Sequence, residues 1–223
     1  MLLFRALSGL VFLGAVMAGA LFGCAGTTRW LEAWIFLAVF LGASLLVTID
    51  LARRDPALLE RRTHAGPLAE PTTKQKIIQL FASLAFLAEL ALPALDRRFG
   101  WTHVPASIAY SAEAFVALGF FIVFRVFRAN TFTSALIEVG EKQHVITTGP
   151  YAIVRHPMYA GAFVLLLAAP IALGSLAGLA AFPLLVAVIV VRMLDEERVL
   201  ARDLEGYDAY RKKTRSRLVP GVF

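Results

Sequence analysis

From Met158 to Val191 the chain reads MYAGAFVLLLAAPIALGSLAGLAAFPLLVAVIVV, without one charged residue. About 20 apolar residues cross the ~30 Å hydrocarbon core of a bilayer, so this run is too long for one plain span. Pro170, Gly174 and Gly178 cluster near its middle. Their spacing predicts a short helix over Met158–Ala169, a turn at Pro170–Ser175 and a returning helix to about Leu194. A helix rises about 1.5 Å per residue, so the first arm climbs only about 18 Å and does not cross fully. It is expected to lie shallow or tilted beside a cavity. Pro183 is expected to kink the returning arm, because it removes an i→i−4 hydrogen bond.

The rest of the chain is of the same kind. Of 223 residues, 59% are hydrophobic and only 17% charged, against roughly 25% charged in soluble domains. Mean hydropathy is +0.72. A soluble globule of this size has no interior large enough to hide that surface. The 17 Phe and the long aliphatic runs exclude a disordered chain. The composition predicts a polytopic all-α membrane bundle. Further spans are expected at Leu7–Ala25, Trp30–Ile49, Ile77–Leu95 and Val104–Phe127. Trp30 and Trp34 mark one membrane interface, and Pro105 opens the fourth span where a missing N–H costs little. The apolar N-terminus after Arg5 resembles a signal peptide, but Phe22 stands where the Leu21–Cys24 box needs a small residue, so an uncleaved first span is expected. With the hairpin, this makes five or six membrane segments.

Charge sets the expected orientation. With the N-terminus inside, 19 of the 22 Lys and Arg fall on the cytoplasmic side, and only Arg29, Arg97 and Arg98 fall outside. If Met158–Val191 were a single span, the tail would move out and the count would be 11 against 11. The positive-inside bias therefore favours the hairpin, with both termini cytoplasmic. The net charge of +6 is read as basic loops against anionic headgroups, not as a nucleic-acid surface.

The loops follow from this map. Asp50–Lys76 carries Pro56, Pro67 and Pro71, and Ala57–Arg62 is expected as a short amphipathic helix on the membrane. In Ala129–Arg155, Val145–Tyr151 is an extended run into a turn. The tail Asp195–Arg217 continues the last helix, with a break expected at Gly206. One domain is expected over 1–223, with spans in 1–128 and the binding region in 129–223.

Two polar clusters carry the chemistry. The first, from Gly149 to Gly161, reads GPYAIVRHPMYAG. Pro157 suits a first helical turn, which sets Arg155 and His156 at a positive helix end, with Tyr159 at the same mouth. An anion there meets free N–H groups, the helix dipole and Arg. The alternative is an interfacial anchor, with Arg snorkelling and Tyr in the headgroup belt. The second cluster is Asp195-Glu196-Glu197 before Arg198. Adjacent residues point in different directions, so the three cannot serve one ligand. Glu196 or Glu197 can turn toward the first cluster, or the run is a solvated helix end. Tyr207 and Arg211, one turn apart, share a face near Tyr210. Glu89 and Glu113 lie inside spans, where acids are costly; they meet each other, bind a cation or stay protonated. A transport protein would rest on them, but duplicated halves are lacking. His64, His103, His144 and His156 are scattered and Cys24 is the only cysteine, so no metal site and no internal disulfide are expected.

Taken in order, Gly149-Pro150-Tyr151, Arg155-His156-Pro157-Met158-Tyr159, Gly161, Glu196-Glu197 with Leu200, Gly206-Tyr207, Tyr210 and Leu218-Val219-Pro220-Gly221 resemble a known superfamily. It is the isoprenylcysteine carboxyl methyltransferase and phospholipid methyltransferase group of small membrane enzymes, especially its bacterial members. The resemblance covers about Asn130 to Phe223. It implies an S-adenosylmethionine pocket at the cytoplasmic helix ends, in a bacterial inner membrane. Gly149, Tyr151, Arg155, His156, Tyr159, Gly161, Glu196 and Glu197 would hold the cofactor. Arg155, Glu196 and Glu197 would be catalytic, and Tyr207, Tyr210 and Arg211 would meet the substrate. The acceptor it implies is an amphiphile reached from the bilayer, either a prenylcysteine-type carboxylate or a lipid amine, with no obligate protein partner. The same motifs resemble the end of sterol-reductase-like membrane proteins, so an NADPH-dependent oxidoreductase is the enzymatic alternative.

Overall fold

Among the described residues of the computed structural model (1–64, 66, 69–70, 72–137, 140 and 143–222) the chain forms eight α-helices and no strand. Pro67, Pro71, Lys142 and Phe223, to which the sequence reading gives places in the loops and tail, lie outside the described residues. The helices are α1 (Leu2–Ala25), α2 (Leu31–Arg54), α3 (Pro56–Thr63), α4 (Thr73–Phe99), α5 (Ala106–Ala129), α6 (Pro157–Ala172), α7 (Phe182–Asp203) and α8 (Tyr207–Lys213). Five segments are long and apolar enough to cross a membrane: α1, α2, α4, α5 and Ala177–Asp203. The chain is therefore a multi-pass membrane protein.

The uncharged run breaks later than its proline suggests. Pro170 lies inside α6, and the chain turns only after Ala172. In the last turn of a helix the ring forfeits one bond, while the remaining carbonyls are taken up by the turn itself. Ser175 N–H donates to Pro170 O at 2.9 Å and Gly174 N–H to Ile171 O at 2.9 Å. Sixteen residues give α6 a rise of about 24 Å, still short of a full crossing. A 3₁₀ turn, Ala177–Ala181, leads into α7. Pro183 stands in the first turn of α7, where its missing N–H has no intrahelical partner to lose. The kink expected there consequently has no cause.

A buried carboxylate pins this break. Asp96, 1% exposed, accepts from Thr102 N–H at 2.7 Å and from the hydroxyls of Thr102 and Ser175. Ser175 Oγ accepts from Gly178 N–H at 2.9 Å, and Thr102 Oγ1 from Leu176 N–H at 3.0 Å. The turn between α6 and α7 is thereby tied to the end of α4.

The core is made by aliphatic and Phe faces of α1, α2, α4, α5 and α6. α6 packs chiefly on α5, because two glycines let the backbones touch: a Cβ on Gly119 would sit 2.7 Å from Gly161 O, and one on Gly161 3.0 Å from Gly119 O. Trp30 is buried in this core, at 2% exposure, whereas Trp34 is half exposed and donates its indole N–H to Thr28 O. Only Trp34 has the exposure of an interfacial anchor. α3 starts at Asp55, whose side chain accepts from Leu58 N–H at 2.9 Å. Its Leu58 and Leu59 are buried against Leu51, Phe127 and Met158, so α3 is a packed element that reaches the start of α6. Glu89 and Glu113 are buried, and no carboxylate oxygen of either has a hydrogen-bond partner among the described residues.

Candidate functional site

At the end of the bundle away from Asp96, α7 returns to the start of α6. Successive helical residues are turned by about 100°, and the two adjacent glutamates accordingly meet different partners. Glu196 Oε2 accepts from Tyr159 Oη at 2.7 Å. Glu197 Oε1 accepts from Arg155 Nε at 2.6 Å, and its Oε2 from Arg217 Nε at 2.9 Å. Arg155 is 6% exposed and Glu197 7%. Asp195 accepts from Lys74 and Gln75 and lies 3.8 Å from Arg198.

The tail crosses this point. Arg155 N–H donates to Ser216 O at 3.0 Å and His156 N–H to Arg217 O at 2.9 Å. Arg155 Nη1 donates to Thr214 O at 2.9 Å and also to Arg215 O. The backbone donors before α6 and the Arg155 guanidinium are thus engaged by the protein itself. α7 ends at Asp203, and Gly206, three residues on at φ 82°, caps the start of α8 in a left-handed conformation that suits a residue without Cβ. The chain then turns into α8, whose Tyr210 Oη donates to Tyr151 O at 2.7 Å. Asn130 Nδ2 donates to Tyr151 Oη at 3.0 Å.

Between these elements lies a cavity of about 290 Å³, near the small end of pockets that take a drug-sized ligand. Tyr151, Arg155, His156, Tyr159, Glu196, Tyr207 and Tyr210 line it, so seven of the residues singled out in the sequence converge here. Gly149, Gly161, Glu197 and Arg211 do not. Gly149 opens a 3₁₀ turn against Ala129, and Gly161 is the helix contact with Gly119. Glu197 stands behind Arg155, and Arg211 pairs with Asp208 at 3.0 Å on α8. Two buried polar atoms at the cavity residues have no hydrogen-bond partner among the described residues: Tyr207 Oη and His156 Nε2. The latter is 3.5 Å from Glu197 Oε1, too far for a well-formed bond. Burial pushes the Tyr151 and Tyr207 phenols up, and that of Tyr210 up to about 12. All three stay neutral hydrogen-bonding groups at working pH.

Further lining residues were not singled out in the sequence. Arg192 pairs with buried Glu70 at 2.7 Å and donates to Ala135 O at 2.7 Å. It stands four residues before Glu196, one helical turn away on the same face, a spacing that could have found it. Arg62, Gln79, Asn130 and His144 also line the cavity, and no local pattern sets them apart from ordinary loop or helix residues.

A family model described as phospholipid methyltransferase matches residues 108–205, from the start of α5 to just past α7. No curated protein gives a significant match to the chain. The matched segment holds Tyr151, Arg155, His156, Tyr159, Arg192 and both glutamates. The match, on a bundle of membrane helices, supports S-adenosylmethionine-dependent methyl transfer to a membrane-associated acceptor in general terms.

Proposed function

We propose that the cavity between α6, α7 and α8 binds S-adenosylmethionine and that the protein moves its methyl group to an amphiphile in the membrane. The observation that carries this is the set of groups lining one small cavity: Glu196 as acceptor, Tyr207 Oη with no hydrogen-bond partner among the described residues, His156, and tyrosine faces around them. These fit the cofactor's chemistry. Its amine, ribose hydroxyls and sulfonium call for acceptors and π faces, which Glu196 and the tyrosines offer. Its carboxylate calls for donors, which Tyr207 and His156 offer. Arg155 acts in this reading as a positioning residue, because its guanidinium holds Glu197 and the tail.

When bound, the cofactor supplies an electrophilic methyl group on sulfur. The protein's share is alignment and exclusion of water. Tyr159, by donating to Glu196, fixes which carboxylate oxygen faces the cavity. The tail and α8 close it from the outer side. A carboxylate acceptor needs no base. An amine acceptor must first lose a proton. Gly149, Gly161 and Glu197 support this wall through packing, and Tyr210 through its bond to Tyr151.

Purified protein in neutral detergent is expected to bind S-adenosylmethionine in titration calorimetry and to show no heat with NADPH. Binding of NADPH alone would transfer the assignment to the reductase-like alternative, and binding of neither would remove the enzymatic reading.

The orientation proposed has both termini and the cavity on the cytoplasmic side of a bacterial inner membrane, from the 19 to 3 distribution of Lys and Arg. A C-terminal tag is expected to resist protease added outside intact cells and to be cut in inverted vesicles. Cleavage from outside contradicts it.

A further inference from the structure

Part of the cavity wall lies outside the family match. Arg62, in the last turn of α3, and Gln79 of α4 form it, and Arg192 of α7, inside the match, lines the same cavity. α3 is held rigidly by the Asp55 cap and by Leu58 and Leu59, so Arg62 is presented from a fixed base. Its Nη1 donates to Ser134 O at 2.8 Å, and its guanidinium carbon lies 5.3 Å over the Phe127 ring.

Among the described residues Arg62 has no counter-ion within ion-pair distance. Arg5, Arg54, Lys74, Arg128 and Arg192 each have a carboxylate within 4 Å, the last of them Glu70. Arg62 makes no ion pair with any described residue. It lies within electrostatic reach of Arg192, Tyr159 and Glu196, and burial pulls its pKa down from the ordinary guanidinium value. Glu196 is the only carboxylate among those neighbours. If Glu196 turns to the cofactor's cationic groups, Arg62 is left as a partly buried cation facing a cavity. Such a cation is costly unless an anion meets it. Arg is also the side chain whose flat fork best matches a carboxylate or a phosphate.

The position favours the acceptor over the cofactor as the source of that anion. Gln79, which lines the same cavity as Arg62, is followed in α4 by Leu80 and Phe81, apolar residues 49% and 53% exposed on a helix long and apolar enough to span the membrane. A head group at Arg62 can therefore leave its apolar tail along α4, in the bilayer. We propose that Arg62 is a specificity-determining residue that seats an anionic group of the methyl acceptor, a carboxylate or a phosphate. This rests on the methyltransferase reading for the name of the ligand, but not for the anion seat itself. Two acceptors share the chemistry: an acid whose own carboxylate takes the methyl group, and a phosphodiester whose nearby amine takes it.

The test is equilibrium binding to the full-length protein in neutral detergent, without turnover. The probes are a long-chain fatty acid, its methyl ester, a long-chain alkyl phosphate and the matching alcohol. Wild type is expected to bind the charged member of each pair about tenfold or more tightly than the neutral one. Arg62→Gln is expected to lose that preference while its S-adenosylmethionine affinity stays within about twofold. Arg62→Lys keeps the charge and is expected to retain part of the preference, which separates the seat from a folding defect. A larger gap for the acid points to a carboxyl acceptor, and a larger gap for the phosphate to a phospholipid. Equal binding of charged and neutral probes by wild type overturns the proposal. So does an undiminished preference in Arg62→Gln, or a fall in S-adenosylmethionine affinity with the probes unaffected, which would assign Arg62 to the cofactor. A wild type that binds the anionic probes but no S-adenosylmethionine overturns the methyltransferase reading and leaves the anion seat standing.

Discussion

Replacing Glu197 by alanine is expected to destabilise the protein by about 3–5 kcal/mol, the cost of leaving a buried cation without its partner. Glu197 joins three otherwise separate pieces: the start of α6 through Arg155, the body of α7, and the tail through Arg217. Removing it strands Arg155, which is 6% exposed and has only backbone carbonyls left to bond. The tail segment Thr214–Arg217 should then lift from the head of α6. The measurements are the unfolding midpoint in detergent and limited proteolysis, with new cleavage expected between Thr214 and Leu218. Arg155→Ala breaks the same network, so a double-mutant cycle should show strong coupling, with the pair costing less than the sum of the singles. An unchanged midpoint with an intact tail would show that the network is ornamental.

Glu196→Gln is expected to behave in the opposite way. The residue accepts a bond from Tyr159 at 2.7 Å and faces the cavity. A glutamine keeps the size and one acceptor, so the fold should be nearly unaffected. The charge that meets the cofactor's cationic groups is lost. A charge-assisted hydrogen bond is worth about 1.5–3 kcal/mol, so S-adenosylmethionine affinity is expected to fall roughly ten- to hundredfold. Tyr159→Phe should give a smaller loss, because it frees the carboxylate without removing it. Titration of the three proteins checks the order. An affinity within twofold of wild type in Glu196→Gln would remove that residue from the cofactor site.

The contrast between these neighbours marks how far the sequence can be read. That two adjacent acids cannot serve one ligand follows from helical geometry. Which of them faces the cavity depends on the rotation of α7 about its axis, and only packing against α4 and the start of α6 sets that. The apolar runs located the spans, because burial in lipid leaves its mark residue by residue. The break in the long run was legible too, though not its place, since Pro170 is tolerated in a last turn whose carbonyls find partners in the turn itself. The cluster from Tyr151 to Tyr159 was legible because a proline fixes the helix start. Arg62 and Glu70 were not. Arg62 belongs to a short helix whose local sequence reads as surface, and it reaches the cavity only through the tertiary docking of Leu58 and Leu59, while Glu70 sits in a loop and meets Arg192 behind the wall. Asp96 was hidden for the same reason, its partners Thr102 and Ser175 lying in different connections. Trp30 shows the reverse error: an aromatic at a span end reads as an anchor, yet it is buried at the N-terminus of α2.

The most direct test is methyl transfer itself. Purified protein is incubated with S-adenosylmethionine labelled in its methyl group and a total membrane lipid extract, with Glu196→Gln in parallel. The label is expected to partition with lipid for wild type and to be sharply reduced for the variant. Mild base then distinguishes a labile carboxyl methyl ester from a stable N-methyl group. No protein-dependent transfer of label to any lipid-soluble product, from a preparation that is folded and binds the cofactor, would contradict the account.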